Sequence, residues 1–541
     1  MSSISSAGPA SIPNPANSPV TRTLPPVLGR LLSGTFWLAL RVPLQAVFTL
    51  WTVRLILEAV GSEKMGAYGF AWGFGFFQFL LEFGVSSALQ RQVSDRWTRG
   101  DRAGVDRSIA CGLNFYLVMA LVQTAVLCTI AYGAIPHTDY SPEARDLIRK
   151  LIWLQALTAP CYGISVVVSS VLQAARRYDF VPRLELVVVV LRFLILLVGL
   201  RVLGGSYFFT LIAAQTLVQI ALTLGPAIWV MVGELGHVPG LRGARFEDYK
   251  ALGHISFYMA LIQLSVVLGD KIDTTILGFM LSNPGDANAV YGVVSKPFLQ
   301  LRQTGWMLAY MVMPAVASLS AARDWIGIER VKYDGTRLHF GILLPVGLLA
   351  WIHAGPFLSL WVGNRLGYDA QLEAPMMRLF LIAAIPLILS VPVQMAIGMN
   401  RIEVIALAAL GGSLVNLPVS CYLTWQLKDV SGVIWGTVLT TLFSNLLVPG
   451  FYVFRVLEIR PRDFFERTLL APLVGAACSI AATVALRSAY PLTTDGATLI
   501  ERCTPLLVYL VVGTLGYLAG YAAIPVGRKD FAQLASKLRP R

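Results

Sequence analysis

Fourteen apolar stretches, each long enough to cross a bilayer, fill this chain almost from end to end. A spanning helix needs about 20 mostly apolar residues. Runs of that kind are predicted at 31–57, 66–90, 108–135, 151–175, 182–203, 207–233, 252–282, 287–321, 338–355, 376–398, 403–425, 432–454, 468–488 and 504–524. The ninth is short, and the break within 182–233 is weakly marked. Only 13% of the 541 residues are charged, whereas a wetted soluble surface needs nearer 25%. The expected fold class is therefore an all-α polytopic membrane protein with about 14 transmembrane helices. Almost no length is left for a soluble catalytic domain.

Orientation follows from the loops, because cytoplasmic loops carry the excess of Lys and Arg. With the N-terminus inside, the inner segments hold 27 basic residues and the outer loops 10. Both termini are thus expected in the cytoplasm. The same asymmetry accounts for much of the net charge of +13, so the charge points to topology and not to nucleic acid. Residues 1–30, rich in Ser, Pro and Ala, have the composition of a disordered cytoplasmic tail, with no apolar core of signal-peptide type. Cys111, Cys128, Cys161, Cys421, Cys478 and Cys503 are scattered in or beside spans, without a CxxC. That placement suits small buried hydrophobes, not a disulfide framework or metal site. The five histidines are scattered as well, and no cofactor is expected.

Weak internal similarity recurs six spans apart. Ala67-Tyr68-Gly69 opens the second span and Val290-Tyr291-Gly292 the eighth. The fourth span ends at Arg176-Arg177 and the tenth at Asn400-Arg401. An even offset gives both halves the same orientation and implies a pseudo-twofold axis along the membrane normal. The expected organisation is a six-helix lobe over 31–233, a second over 252–454, two appended spans over 468–524, and a basic cytoplasmic tail over 525–541. The segment from Arg323 to Arg337 joins the basic faces of the lobes. An interfacial amphipathic helix and a solvated loop fit it equally well.

Charges at membrane depth are the most informative single residues, since each costs about 2.5–3.5 kcal/mol on insertion scales and such groups face a cavity or a partner. At 1.5 Å per residue, Arg41 falls near the midplane of the first span and Arg192 at similar depth in the fifth. Arg302 lies past the middle of the eighth. Asp270, Lys271 and Asp273 lie in the outer half of the seventh, Lys296 in the outer half of the eighth, and Glu82 toward the inner end of the second. Spans nine to fourteen carry essentially no deep charge. A basic cavity lined by the first lobe and the first two spans of the second would attract an anionic solute or head-group. Asp270 and Asp273 share a helix face, and a neutral pair with Lys296 that merely joins two helices fits them as well as a transport role does. Glu185, near the cytoplasmic interface, suits a structural role. Arg41 and Arg302 have no evident partner on their own helices. Gly69 and Gly73, four apart, permit close helix packing.

Certain motifs carry a resemblance. Gly61-Ser62-Glu63-Lys64-Met65-Gly66-Ala67-Tyr68-Gly69, followed by Phe83-Gly84-Val85-Ser86-Ser87-Ala88-Leu89-Gln90-Arg91, resembles the first hairpin of bacterial polysaccharide transporters. Asp273-Thr274-Thr275-Ile276-Leu277-Gly278 with Val290-Tyr291-Gly292, and Leu360-Trp361-Val362-Gly363, are similar to later motifs of the same proteins. These belong to the MOP flippase superfamily, and the nearest type is the Wzx-like O-antigen or exopolysaccharide flippase. The resemblance spans about residues 30–455. It implies two lobes around a cavity with alternating access, and flipping of an undecaprenyl-pyrophosphate-linked oligosaccharide across the bacterial inner membrane. Pyrophosphate needs cationic partners, and Arg binds phosphate in a bidentate manner. Arg41, Arg192, Lys271, Lys296 and Arg302 are then the candidate substrate contacts, and Asp270, Asp273 or Glu82 the candidates for coupling an ion or proton gradient. Expected partners are the lipid-linked anionic glycan, membrane lipids, and the polysaccharide polymerase and chain-length machinery, with no nucleic acid.

Other classes fit less well. A multidrug extruder of the same superfamily binds organic cations, which a basic interior suits poorly. A lipid II flippase shares the fourteen spans and the basic cavity. A glycan polymerase or ligase needs a large outer loop with catalytic residues, but the longest outer loops, about 136–150 and 356–375, are short and lack a Ser-His-Asp or metal-ligand constellation.

Overall fold

The computed structural model describes residues 26–75, 85–175, 177, 180–238, 240–250, 261, 264–265, 268–269, 272–310, 312–363, 370–399, 401–490, 492 and 499–538. Among the described residues the chain is helical throughout, with no strand. The first half comprises α1 (Pro26–Gly73), α2 (Val85–Thr98), α3 (Arg102–Thr129), α4 (Pro142–Ala174), α5 (Phe180–Leu203) and α6 (Phe208–Trp229). The second comprises α7 (Ile272–Met280), α8 (Pro284–Val294), α9 (Lys296–Tyr310), α10 (Val312–Ala321), α11 (Trp325–Arg330), α12 (Thr336–Ile352), α13 (Ala354–Trp361), α14 (Ala370–Ile382), α15 (Ser390–Gly398), α16 (Glu403–Leu427), α17 (Ser431–Thr441) and α18 (Val448–Val456). Then follow α19 (Pro461–Phe464), α20 (Leu470–Ala489), α21 (Leu499–Ala523) and α22 (Pro525–Leu538).

Eleven helical stretches among the described residues are long and apolar enough to cross a membrane. They coincide with the expected spans except the second, seventh and eighth. The second and seventh run through residues outside the described set. The eighth is broken at Ser295 into α8 and α9. The cause is Pro297, which supplies no backbone N–H to continue the ladder. The weakly marked break within 182–233 is real. Gly204 takes φ +81° between α5 and α6, a conformation that glycine adopts without the Cβ penalty. Gly61 does the same at the corner within α1, at φ +86°.

Residues 323–337 are neither a loop nor a separate interfacial helix. α11 starts on Asp324, whose carboxylate caps the Gly327 amide, and runs through a widened turn at Val331–Gly335 directly into α12. The ninth span is therefore longer than its apolar core. Buried charge does occur in this half at the basic end, just outside the expected ninth and fourteenth spans. Arg337, 3% exposed in its side chain, makes a two-pronged pair with Asp530 of α22 at 2.8 and 2.6 Å. It also reaches Asp334 and the Arg467 carbonyl. These charges are shielded by protein at the basic end of the molecule, so hydropathy alone does not reveal them.

The apolar packing divides by depth. At the basic-poor end a single core crosses between the halves, joining Phe70, Phe74, Ile148 and Leu151 to Leu277, Tyr291, Phe298 and Phe380. At the basic-rich end each half has its own core. One holds Leu89, Ile109, Val168, Val171 and Met231. The other holds Val316, Tyr333, Val391, Met395 and Val453. The molecule is thus two lobes fused at one end and separately packed at the other. The segment 235–250 belongs with the first lobe: Asp248 pairs with Arg96, and Asn114 donates to the Leu241 carbonyl at 3.0 Å and to the Tyr249 hydroxyl at 3.1 Å.

Candidate functional site

The closed end is built by backbone approach. Gly66, just past the corner of α1, lies against Gly285 at the start of α8. A Cβ on Gly66 would stand 1.7 Å from the Gly285 oxygen. Gly278 lies under the Phe70 ring, where a Cβ would stand 2.1 Å from a ring carbon. Polar contacts bind the same end. Tyr140 donates to the Pro284 carbonyl at 3.3 Å and accepts from Asn288 at 3.0 Å. Trp361 donates to the Leu50 carbonyl at 2.7 Å, and Arg54 reaches the Leu360 carbonyl at 3.4 Å while pairing with Glu58. Burial raises the Tyr140 hydroxyl well above the ordinary phenol value, Asn288 partly offsets this, and Glu63 adds to it. Tyr140 is therefore neutral across the physiological range.

The candidate basic residues hold separate sets of neighbours. Arg41 donates to Glu185 of α5, so it has the partner that its own helix did not offer. Glu185 is five residues into α5. Arg192 donates to Gln219 of α6 at 2.9 Å, and its carbonyl accepts from Gln215. Arg302 lies over the Phe298 ring at 5.2 Å, and Phe298 stacks on Phe380 at 5.1 Å. Lys296 is the first residue of α9, half-buried beside the Ser295 break. Lys271, Asp270 and Glu82 lie outside the described residues.

Asp273 is fully buried. Its Oδ2 accepts from the Tyr291 hydroxyl of α8 and the Thr437 hydroxyl of α17, both at 2.9 Å. A turn further along α17, Thr440 donates to Asn416 of α16, and Ser420 donates to the same amide oxygen. The carboxylate therefore sits at the head of a buried polar column that joins four helices of the second lobe. Sequence singled out Asp273 and Tyr291 but not Thr437, Thr440, Asn416 and Ser420, which are unremarkable in apolar runs. A four-residue spacing, Asn416 to Ser420, was their one shared signal.

Comparisons with known proteins bear on the fold. A family model described as MatE matches residues 38–198. No curated protein matches the sequence. A solved structure of lipid II flippase MurJ in an inward closed conformation overlays with a TM-score of 0.64 at 13% identity, covering 92% of this chain and 98% of that one. An inward-facing multidrug resistance MATE family transporter of the MOP superfamily overlays at 0.61 and 15% identity, covering 77% and 96%. An outward-facing transporter of that description overlays at 0.51 and 13% identity, covering 79% and 96%. The chain therefore has the fold shared by the MATE and MurJ structures.

Proposed function

We propose that this chain is a MOP-superfamily transporter. It flips an undecaprenyl-pyrophosphate-linked oligosaccharide from the inner to the outer leaflet of the bacterial inner membrane, for O-antigen or exopolysaccharide synthesis. Both termini face the cytoplasm, and the protein moves its substrate without making or breaking covalent bonds. The carrying observation is the arrangement of the lobes. They are fused by Gly66, Gly285, Tyr140 and Trp361 at the basic-poor end and packed separately at the basic-rich end. Guanidiniums stand at membrane depth in each lobe, Arg192 and Arg302. Such residues mark substrate paths in membranes, and guanidinium binds phosphate oxygens through paired donors. Arg41, Lys271 and Lys296 complete the set assigned to the head-group.

Asp273 is the described acidic residue best placed to couple transport to a cation or proton, with Asp270 and Glu82 as further carriers. Its helix α7 touches α1 of the other lobe, so a change of charge at Asp273 acts on an element that contacts both lobes. The polysaccharide polymerase and chain-length machinery would receive the product.

A multidrug extruder is the second reading, favoured by the MatE match over 38–198. Against it stand the excess of deep basic residues and the fuller coverage of this chain by the MurJ structure, 92% against 77%. The deciding experiment deletes the gene and asks on which leaflet lipid-linked glycan accumulates. Cytoplasmic accumulation, reversed by the intact gene but not by Arg302→Ala at equal protein level, is the expected result. Unchanged glycan display with a new drug sensitivity would replace this reading with the extruder.

A further inference from the structure

α9 carries a graded row of side chains at steps of four: Phe298, Arg302, Trp306 and Tyr310. Exposure rises along the row toward the basic-rich end. Phe298 is buried in the core that fuses the lobes, Arg302 and Trp306 are half-buried, and Tyr310 is 60% exposed. Trp306 packs at the edge of both the fused core and the separate core of the second lobe. It therefore marks where the lobes part. Its ring lies 6.1 Å from that of Tyr310, at 40°. Seven residues before Tyr310, and so on the same face, is Gln303, whose side chain is exposed.

Two physical arguments say what this face meets. An exposed amide in the middle of a spanning segment is costly against hydrocarbon, and polar residues there face a water-filled space. α9 packs against α12, α14 and α15, with a smaller contact to α1 of the other lobe, and the exposed Gln303 and Tyr310 are assigned on this argument to the space between the lobes. The chemistry is then specific. Trp and Tyr present a negative ring face with a polar edge. The C–H face of a pyranose carries partial positive charge and lies flat on such a ring, while its hydroxyls need donors and acceptors at the rim. Gln303 offers both. Arg302, about 12 Å from Tyr310 along the axis at 1.5 Å per residue, stands where the pyrophosphate of a lipid-linked sugar would be.

We infer that Trp306, Tyr310 and Gln303 form a sugar-binding platform that reads the glycan next to the pyrophosphate held by Arg302. This rests on the proposed flippase reading and names the part of the site that selects the glycan. The platform discriminates between a bare carrier lipid and a loaded one, and so keeps the protein from moving carrier without sugar.

The test uses full-length protein in nanodiscs with two probes: bare undecaprenyl pyrophosphate, and the same lipid bearing one N-acetylhexosamine. Wild type is expected to bind the loaded lipid at least about tenfold more tightly. Tyr310→Ala and Gln303→Ala should each remove most of that preference without weakening the bare lipid, and Tyr310→Phe should keep it. Arg302→Ala should weaken both lipids alike. Equal binding of the two lipids by wild type, or a preference that survives Tyr310→Ala and Gln303→Ala, overturns the platform and leaves the flippase reading standing. Binding of neither lipid by folded wild type overturns both. Accessibility gives a check that needs no ligand. In a background without the native cysteines, Gln303→Cys should react with a membrane-impermeant maleimide, and failure to react would place this face in lipid and refute the platform.

Discussion

The contact of Gly66 with Gly285 can be broken by one methyl group. A Cβ on Gly66 would lie 1.7 Å from the Gly285 oxygen, 2.6 Å from its carbonyl carbon and 3.0 Å from its Cα. All three are backbone atoms, so no side-chain rotation relieves the clash. The second arm of α1 or the start of α8 must move. Overpacking of this kind costs about 1–3 kcal/mol. The cost falls only on the conformation in which the basic-poor end is closed, so the ratio of closed to open should drop by about 5- to 150-fold. Gly69→Ala is the matched control, because nothing lies within 4 Å of a Cβ there. Gly285→Ala approaches from the other lobe, where its Cβ would meet Glu63 at 2.6 Å, and should act in the same direction. The assay is electron–electron resonance between spin labels at Asp139 and Lys428 for the closed end, and at Arg99 and Arg462 for the other. All four residues are exposed. Gly66→Ala should lengthen the first distance and shorten the second. Distances in Gly66→Ala that match those of Gly69→Ala would refute the reasoning.

Three further outcomes follow from buried charges. Asp530→Asn leaves Arg337 buried without its two-pronged partner, which costs about 3–5 kcal/mol when one member of such a pair is lost; thermal unfolding in detergent should fall markedly, and an unchanged midpoint would contradict the pairing. Burial alone would raise the Asp248 carboxyl, but the Arg96 and Arg245 hydrogen bonds and the charges of Arg96 and Arg107 hold it below its ordinary 3.8. A depressed carboxyl stabilises above the ordinary value and loses that contribution as pH falls through the lowered one, so hydrogen exchange over 235–250 should stay protected at pH 5 and rise only below about pH 4. Asp273→Asn keeps the shape but removes the ionisable carboxyl that accepts from Tyr291 and Thr437. With that group gone, transport should fall at least about tenfold, a change of about 1.4 kcal/mol, and its dependence on an imposed cation or proton gradient should disappear.

The helical class and most spans were legible because hydropathy reports a lipid-facing surface directly. The failures occur where hydropathy stops being informative. Residues 323–337 are too polar to be read as a span, yet the Asp324 cap and the burial of Arg337 against Asp530 make them the first turns of one. Pro297 broke an apolar run that composition treats as continuous. At the site, sequence identifies costly residues but not their company. Arg41 was conspicuous, but Glu185, 144 positions away, becomes its partner only once α5 is laid beside α1. Asp273 was conspicuous too, whereas Thr437 is one threonine among many until α17 brings its hydroxyl to 2.9 Å.

The most direct test of the central claim is made with purified protein in liposomes. Flipping of a pyrophosphate-linked glycan is followed beside efflux of a lipophilic cation dye, for wild type, Arg302→Ala and Asp273→Asn. The expected result is glycan flipping by wild type, its loss in both variants, and no dye efflux by any of them. Dye efflux by wild type without glycan flipping would contradict the assignment of an anionic lipid-linked substrate and make the protein an extruder.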